Sequence, residues 1–218
     1  MKHLTTNYLK RKIVLISLLV LLTLMFIFQL VMIKNFLNWI DYEYKWIQAG
    51  QLSKTWTIGR VEKEAPALQL KPLFLVLNTI FLLMVFSAML LVAFSLYTLF
   101  KNLYNGDLYL KIVNYLVPIM FVLLFFILTL QPAEVNQENI LKIEDDYGVV
   151  VDAPVKTSGG QLSYLLTWLA LFFGFINIFL IIISRKSFGY LTNDQILAKK
   201  RNEVDELKLR IQNILENN

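Results

Sequence analysis

The 218-residue chain has no cysteine and one histidine, His3. Without cysteine there is no disulfide, thiol nucleophile, iron–sulfur cluster or Cys-ligated zinc. His3 alone supplies neither a His-based metal site nor a catalytic triad. Charged residues are also scarce, at 17% against about 25% in soluble domains. No Gly-rich phosphate loop or metal-ligand spacing occurs, and no apolar run carries the Asp, Ser/Lys or HExxH pattern of an intramembrane hydrolase. These absences predict a non-enzymatic protein with no cofactor and no metal.

What the chain has instead is apolar length. Hydrophobic residues make up 57% and the mean hydropathy is +0.57. About 20 apolar residues cross the ~30 Å hydrocarbon core, and four stretches qualify: 13–33, 72–100, 112–130 and 162–184. The first follows the basic stretch Lys10-Arg11-Lys12 and ends at Lys34-Asn35-Phe36, which lacks the small residues of a cleavage site. It reads as an uncleaved signal anchor.

The positive-inside rule sets the orientation. With both termini inside, the tails 1–12 and 185–218 and the turn 101–111 hold thirteen Lys and Arg, and the outer segments 34–71 and 131–161 hold eight. Six acids in the third connection (Glu134, Glu138, Glu144, Asp145, Asp146 and Asp152) agree with that sense.

The segment 34–71 begins with Phe36, Trp39, Ile40, Tyr42, Tyr44, Trp46 and Ile47. Half-buried rings suit the headgroup zone, so a helix continuing the first span is expected there, in preference to an aromatic ligand platform. Residues 55–61 have strand composition, and 140–143 and 149–151 flank an acidic, Gly-containing turn like a hairpin. An isolated hairpin is marginal in water, so pairing with 55–61 into a small extracytoplasmic sheet is expected. Glu144, Asp145, Asp146 and Asp152 could hold a hard cation. They lack EF-hand spacing, and a solvated acidic turn is the simpler reading.

Asn105-Gly106-Asp107 signals a tight inner turn between spans two and three. Beyond span four, Thr192-Asn193-Asp194-Gln195 has the form of a capping box. Leu197, Val204, Leu207, Ile211 and Ile214 then fall on heptad a/d spacing, interrupted by Lys200. Three pairs four residues apart (Lys199–Glu203, Arg201–Asp205 and Glu206–Arg210) each support the helix by about 0.2–0.5 kcal/mol. This helix, 192–216, is expected to pair with itself or with another membrane or cytoplasmic protein. Its rival use is to lie on the bilayer, with Lys199-Lys200-Arg201 on acidic headgroups. Its alternating signs make direct nucleic-acid binding unexpected.

No Asp, Glu, Lys, Arg or His falls inside the four spans as drawn, which argues against a proton-coupled transporter or a voltage sensor. The polar residues there include Gln29, Asn78, Ser87, Ser95, Asn114 and Asn177. Interhelical amide bonding through Asn78, Asn114 and Asn177 is expected, and Ala170 with Gly174 forms a small-xxx-small pair for close helix approach.

Gly106, the aromatic Tyr109 three residues on, and Asn114 mark the start of the third span. With two larger outer segments and a short inner turn, the chain resembles the YoaS-like family of uncharacterised bacterial four-span membrane proteins, in detail over residues 72–130. Asn114 is displaced by one position from the family's pattern, and the charged helix after span four departs from its usual short ending. The resemblance implies no established activity. It implies a regulatory role beside a small DNA-binding partner.

The expectation is therefore an all-α membrane protein of four transmembrane helices, with a small extracytoplasmic β element and a C-terminal cytoplasmic amphipathic helix. It would sit multi-pass in a bacterial cell membrane, with the lipid bilayer as its first partner. It would serve as an interaction or regulatory subunit acting through Leu197, Val204, Leu207, Ile211 and Ile214. A small oligomeric transporter or channel component, or a sensor of an extracytoplasmic ligand, is the alternative.

Overall fold

The computed structural model describes residues 8–52, 65–101, 103, 106–132, 136–144, 150–158, 162–184 and 193–216. Helices α1 (Tyr8–Leu52), α2 (Pro66–Lys101), α3 (Gly106–Thr129) and α4 (Leu165–Ile183) are each long and apolar enough to cross a membrane. Strands β1 (Asn136–Glu144) and β2 (Val150–Ser158) lie between α3 and α4, and α5 (Asn193–Glu216) follows.

The four long helices form a multi-pass bundle in which α1 borders α2 and α4, and α3 borders the same two. Contacts at the ends give the directions. Glu43, late in α1, meets the first turn of α2, and Gly106 at the start of α3 lies against Thr98 near the end of α2. Tyr164, just before α4, donates its hydroxyl to the Leu130 carbonyl just after α3. The helices therefore alternate up and down, and α1 begins at the end of the bundle where α4 finishes.

The buried positions of α1 step by threes and fours: Arg11, Leu15, Leu18, Leu22, Met25, Gln29, Met32 and Phe36, with Glu43 further on. Phe74, Asn78, Phe81, Val85, Ala88 and Val92 of α2 keep the same beat, as do Val113, Val117, Met120, Leu124 and Ile127 of α3. This 3.5-residue period is the seam of a left-handed bundle. In lipid the apolar residues gain little by leaving the solvent, so close packing holds the helices together. The opposite faces carry residues of the same kind turned outward, such as Leu83, Phe94, Tyr115 and Phe126.

The helices outrun the apolar spans. At ~1.5 Å per residue, the 45 residues of α1 reach well past a ~30 Å core. Residues 35–52 continue that helix, and the Phe36 ring stacks on Phe74 with centroids 3.7 Å apart. Pro66–Lys71, expected in the outer segment, are the first turns of α2, and 106–111, expected in the inner turn, open α3. Pro66 is suited to a helix start because its missing N–H is not needed there. Asp107 favours the N-terminal dipole of α3.

An ideal Cβ on Gly106 would collide with Thr98 Oγ1 and come within 3.3 Å of Thr98 Cβ. The Thr98 hydroxyl is already committed to the Ser95 carbonyl at 2.9 Å. Gly106→Ala is therefore expected to loosen the α2–α3 turn by about 1–3 kcal/mol, the usual cost of overpacking. Thermal unfolding in detergent micelles checks this. Adding Thr98→Ala should recover most of the loss, and a pair of substitutions no better than Gly106→Ala alone would refute the contact.

The strands pair antiparallel from Asn136↔Ser158 to Glu144↔Val150, as a two-stranded ribbon among the described residues. Pro154, opposite Ile140, is tolerated because each strand of a two-stranded ribbon has an edge where no donor is required. The expected third strand at 55–61, the acidic turn at 145–149 and the cap residue Thr192 lie outside the described residues.

Candidate interaction site and polar core

The four spans are free of charge only as drawn on the apolar runs. Among the described residues, folding carries three charged side chains into the bundle: Arg11 and Asp107 at one end and Glu43 at the other. The basic stretch before the first span accordingly divides its work. Arg11 pairs with Asp107, joining the diagonally opposed α1 and α3, and the Lys12 ammonium lies 5.1 Å from the centre of the Phe100 ring.

Glu43 performs a different task. Ala65 precedes Pro66 at the start of α2 and has no side-chain oxygen to cap it. The Glu43 carboxylate takes that role from α1. Ala67 N–H donates to Oε1 at 3.2 Å and Leu68 N–H to Oε2 at 2.9 Å. Trp39 Nε1–H, one turn earlier, donates to Oε1 at 3.0 Å. One carboxylate thus closes a helix start and holds an aromatic side chain. In sequence, Glu43 is simply one acid in a polar-aromatic segment.

Between these ends lies a polar centre. Gln29 Nε2 donates to Asn78 Oδ1, and Asn78 Nδ2 donates to the Phe74 carbonyl at 2.8 Å. Asn177 Nδ2 points at Met25 Sδ, 3.2 Å away. A thioether is a weak acceptor. Asn78 and Asn177 therefore both face α1, against residues one turn apart. Asn114 is partly buried two turns into α3, nearer the Arg11 end, and does not join them. Ala170 is fully buried. Gly174 sits where a Cβ would meet Phe121 at 3.3 Å and the Met25 methyl at 3.4 Å. These groups fix the rotation of α4 and α2 against α1.

The sequence names the amides but not their partners. In the folded chain Arg11 and Glu43 share the seam that carries Leu15 and Phe36.

The second candidate surface is α5. Leu197, Val204, Leu207, Ile211 and Ile214 are 62, 49, 57, 56 and 61% exposed, respectively. Outward-facing apolar side chains on α1–α4 have lipid to meet. Those five of α5 belong to a helix whose other residues, apart from Ile196, Ala198, Leu209 and Leu215, are Lys, Arg, Glu, Asp, Asn and Gln. Their intervals are seven, three, four and three residues, so they form one narrow stripe.

Comparison with protein-family models, curated proteins and solved structures finds no match to the chain.

Proposed function

We propose that this protein is a non-enzymatic integral membrane subunit that binds or regulates another protein chain through α5. In this reading it lies in a bacterial cytoplasmic membrane with the start of α1 and all of α5 in the cytoplasm. The hairpin lies outside. The Lys and Arg distribution supports that orientation, and the Lys-, Asn- and Ile-rich composition without cysteine supports the bacterial setting.

The single observation that carries the reading is the exposed stripe on α5. Burying a Leu, Ile or Val side chain stabilises a complex by about 1.5–3 kcal/mol, and five lie in a row on a helix that covers none of them itself. The amides that would line a solute path favour the same reading. Asn78 is engaged with Gln29 and Phe74, and Asn177 faces Met25. The regulatory role implied by the YoaS-like resemblance is compatible with it and adds a cytoplasmic partner as the target.

Replacing Leu207 and Ile211 together by Asp is expected to reduce the complex solubilised in mild detergent to a single protomer in its micelle. A photocrosslinker at position 207, introduced in living cells, should capture protein. Complex size unchanged by the two substitutions, or capture of lipid alone, would overturn the proposal.

A further inference from the structure

We infer that the partner of α5 is a second copy of the same chain, and that the two α5 helices pair in parallel as a short two-stranded coiled coil. This rests on the reading of α5 as an interaction helix and names its occupant.

The stripe assigns the heptad. Leu197, Val204 and Ile211 occupy a positions, and Lys200, Leu207 and Ile214 occupy d positions. β-Branched residues at a with Leu at d favour two parallel strands over larger bundles. Val204, Leu207 and Ile211 meet that preference in the middle of the seam, while Leu197 at a and Ile214 at d, at its two ends, do not.

Charge points the same way. Glu203 falls at g and Lys208 at the following e. In a parallel pair, each Glu203 faces the other copy's Lys208, so symmetry provides the attraction twice. Arg210 at g faces Leu215 at e, over which its aliphatic stem can lie. An antiparallel pair with the same seam aligned would set Lys208 against Lys208 and Arg210 against Arg210 at its centre. The membrane is consistent with that direction. Two copies inserted in the same sense end α4 on the same side, so both α5 helices start from the same side of the bilayer.

Four seam residues from Val204 to Ile214 would not hold two free helices of this length together. Anchoring in one bilayer changes that, because tethering raises the effective concentration of the two helices without adding a contact. Lys200 then has a specific effect. At a d position in a parallel dimer it faces Lys200 of the other copy, and this separates Leu197 from the rest of the seam. A charged seam residue of this kind restricts register at a cost in stability.

The absence of cysteine makes the test direct. Single substitutions Leu207→Cys and Leu209→Cys would be oxidised in native membranes. Position 207 is on the seam. Position 209 is on the outer face, far beyond the ~7 Å Cα separation that a disulfide can span. Dimer crosslinked through 207 and not through 209 is the expected result. Lys200→Leu should raise the yield at 207, lowering by about tenfold the protein-to-lipid ratio that gives half-maximal crosslinking, since it joins Leu197 to the seam. Glu203→Lys should lower the yield, and adding Lys208→Glu should restore it.

Equal crosslinking at 207 and 209 would overturn the paired register. No crosslink at 207, with the photocrosslinker there capturing a different protein, would overturn self-pairing and leave α5 an interaction helix. Capture of lipid alone would overturn both.

Discussion

Arg11→Leu is expected to destabilise the bundle by about 3–5 kcal/mol, because it leaves the Asp107 carboxylate buried without its cation. Both side chains are almost fully enclosed, at 4% and 7% exposure. The pair joins the two diagonal helices α1 and α3 at the end where α1 begins. Removing one partner should thus cost far more than the pair contributes as a whole. The double variant Arg11→Leu with Asp107→Leu should recover most of the loss, since an apolar pair of similar size asks for no compensation. Equilibrium unfolding in mixed micelles, followed by tryptophan fluorescence, would measure both. The double variant also controls for topology. If the defect came only from removing a positive charge beside the first span, the second substitution would leave it unchanged. An Arg11→Leu variant within about 1 kcal/mol of the parent, the range of an exposed ion pair, would mean that the pair is solvated.

Glu43→Ala should have the next largest effect, about 2–4 kcal/mol, from the hydrogen bonds to a charged acceptor that it removes. The reason lies at the opposite end of the molecule. The carboxylate accepts the N–H groups of Ala67 and Leu68 and the indole N–H of Trp39. Bonds to a charged acceptor are worth more than neutral ones, and a buried donor left alone bears its full desolvation penalty. Glu43→Gln keeps one oxygen acceptor and should lose less than half as much. Amide hydrogen exchange gives a local signature. Ala67 and Leu68 should exchange faster in Glu43→Ala, and the middle of α3 should be unaffected. Unchanged exchange at 67 and 68 would show that α2 does not depend on a cap supplied by α1.

These two predictions concern residues that the apolar runs do not single out. Arg11 reads as one of three basic residues flanking a span, Asp107 as part of a turn, and Glu43 as one acid among aromatics. All three become core residues because the helices extend beyond the hydrocarbon stretches and pack there as well. The stripe on α5 shows the opposite case. Its apolar residues stand against a polar background, so the spacing from Leu197 to Ile214 is readable directly and the helix carries it without alteration.

By itself the sequence determined the four crossings, because transfer of some 20 apolar residues into lipid is a cumulative, one-dimensional quantity. It also determined the narrow stripe of α5, because contrast between side-chain types reveals a helical face. Only the tertiary structure decided the order of helices around the bundle. It also decided which face of each points inward, and that Arg11 meets Asp107, Glu43 caps α2, Gln29 meets Asn78 and Asn177 meets Met25. The physical reason is the lack of contrast within the spans. The seam of α1 is mostly Leu and Met, and its outer face is Ile, Val and Leu. When lipid and core accept the same residues, composition no longer distinguishes inside from outside. The choice passes to shape, to small residues such as Ala170 and Gly174, and to the few polar groups that must find one another.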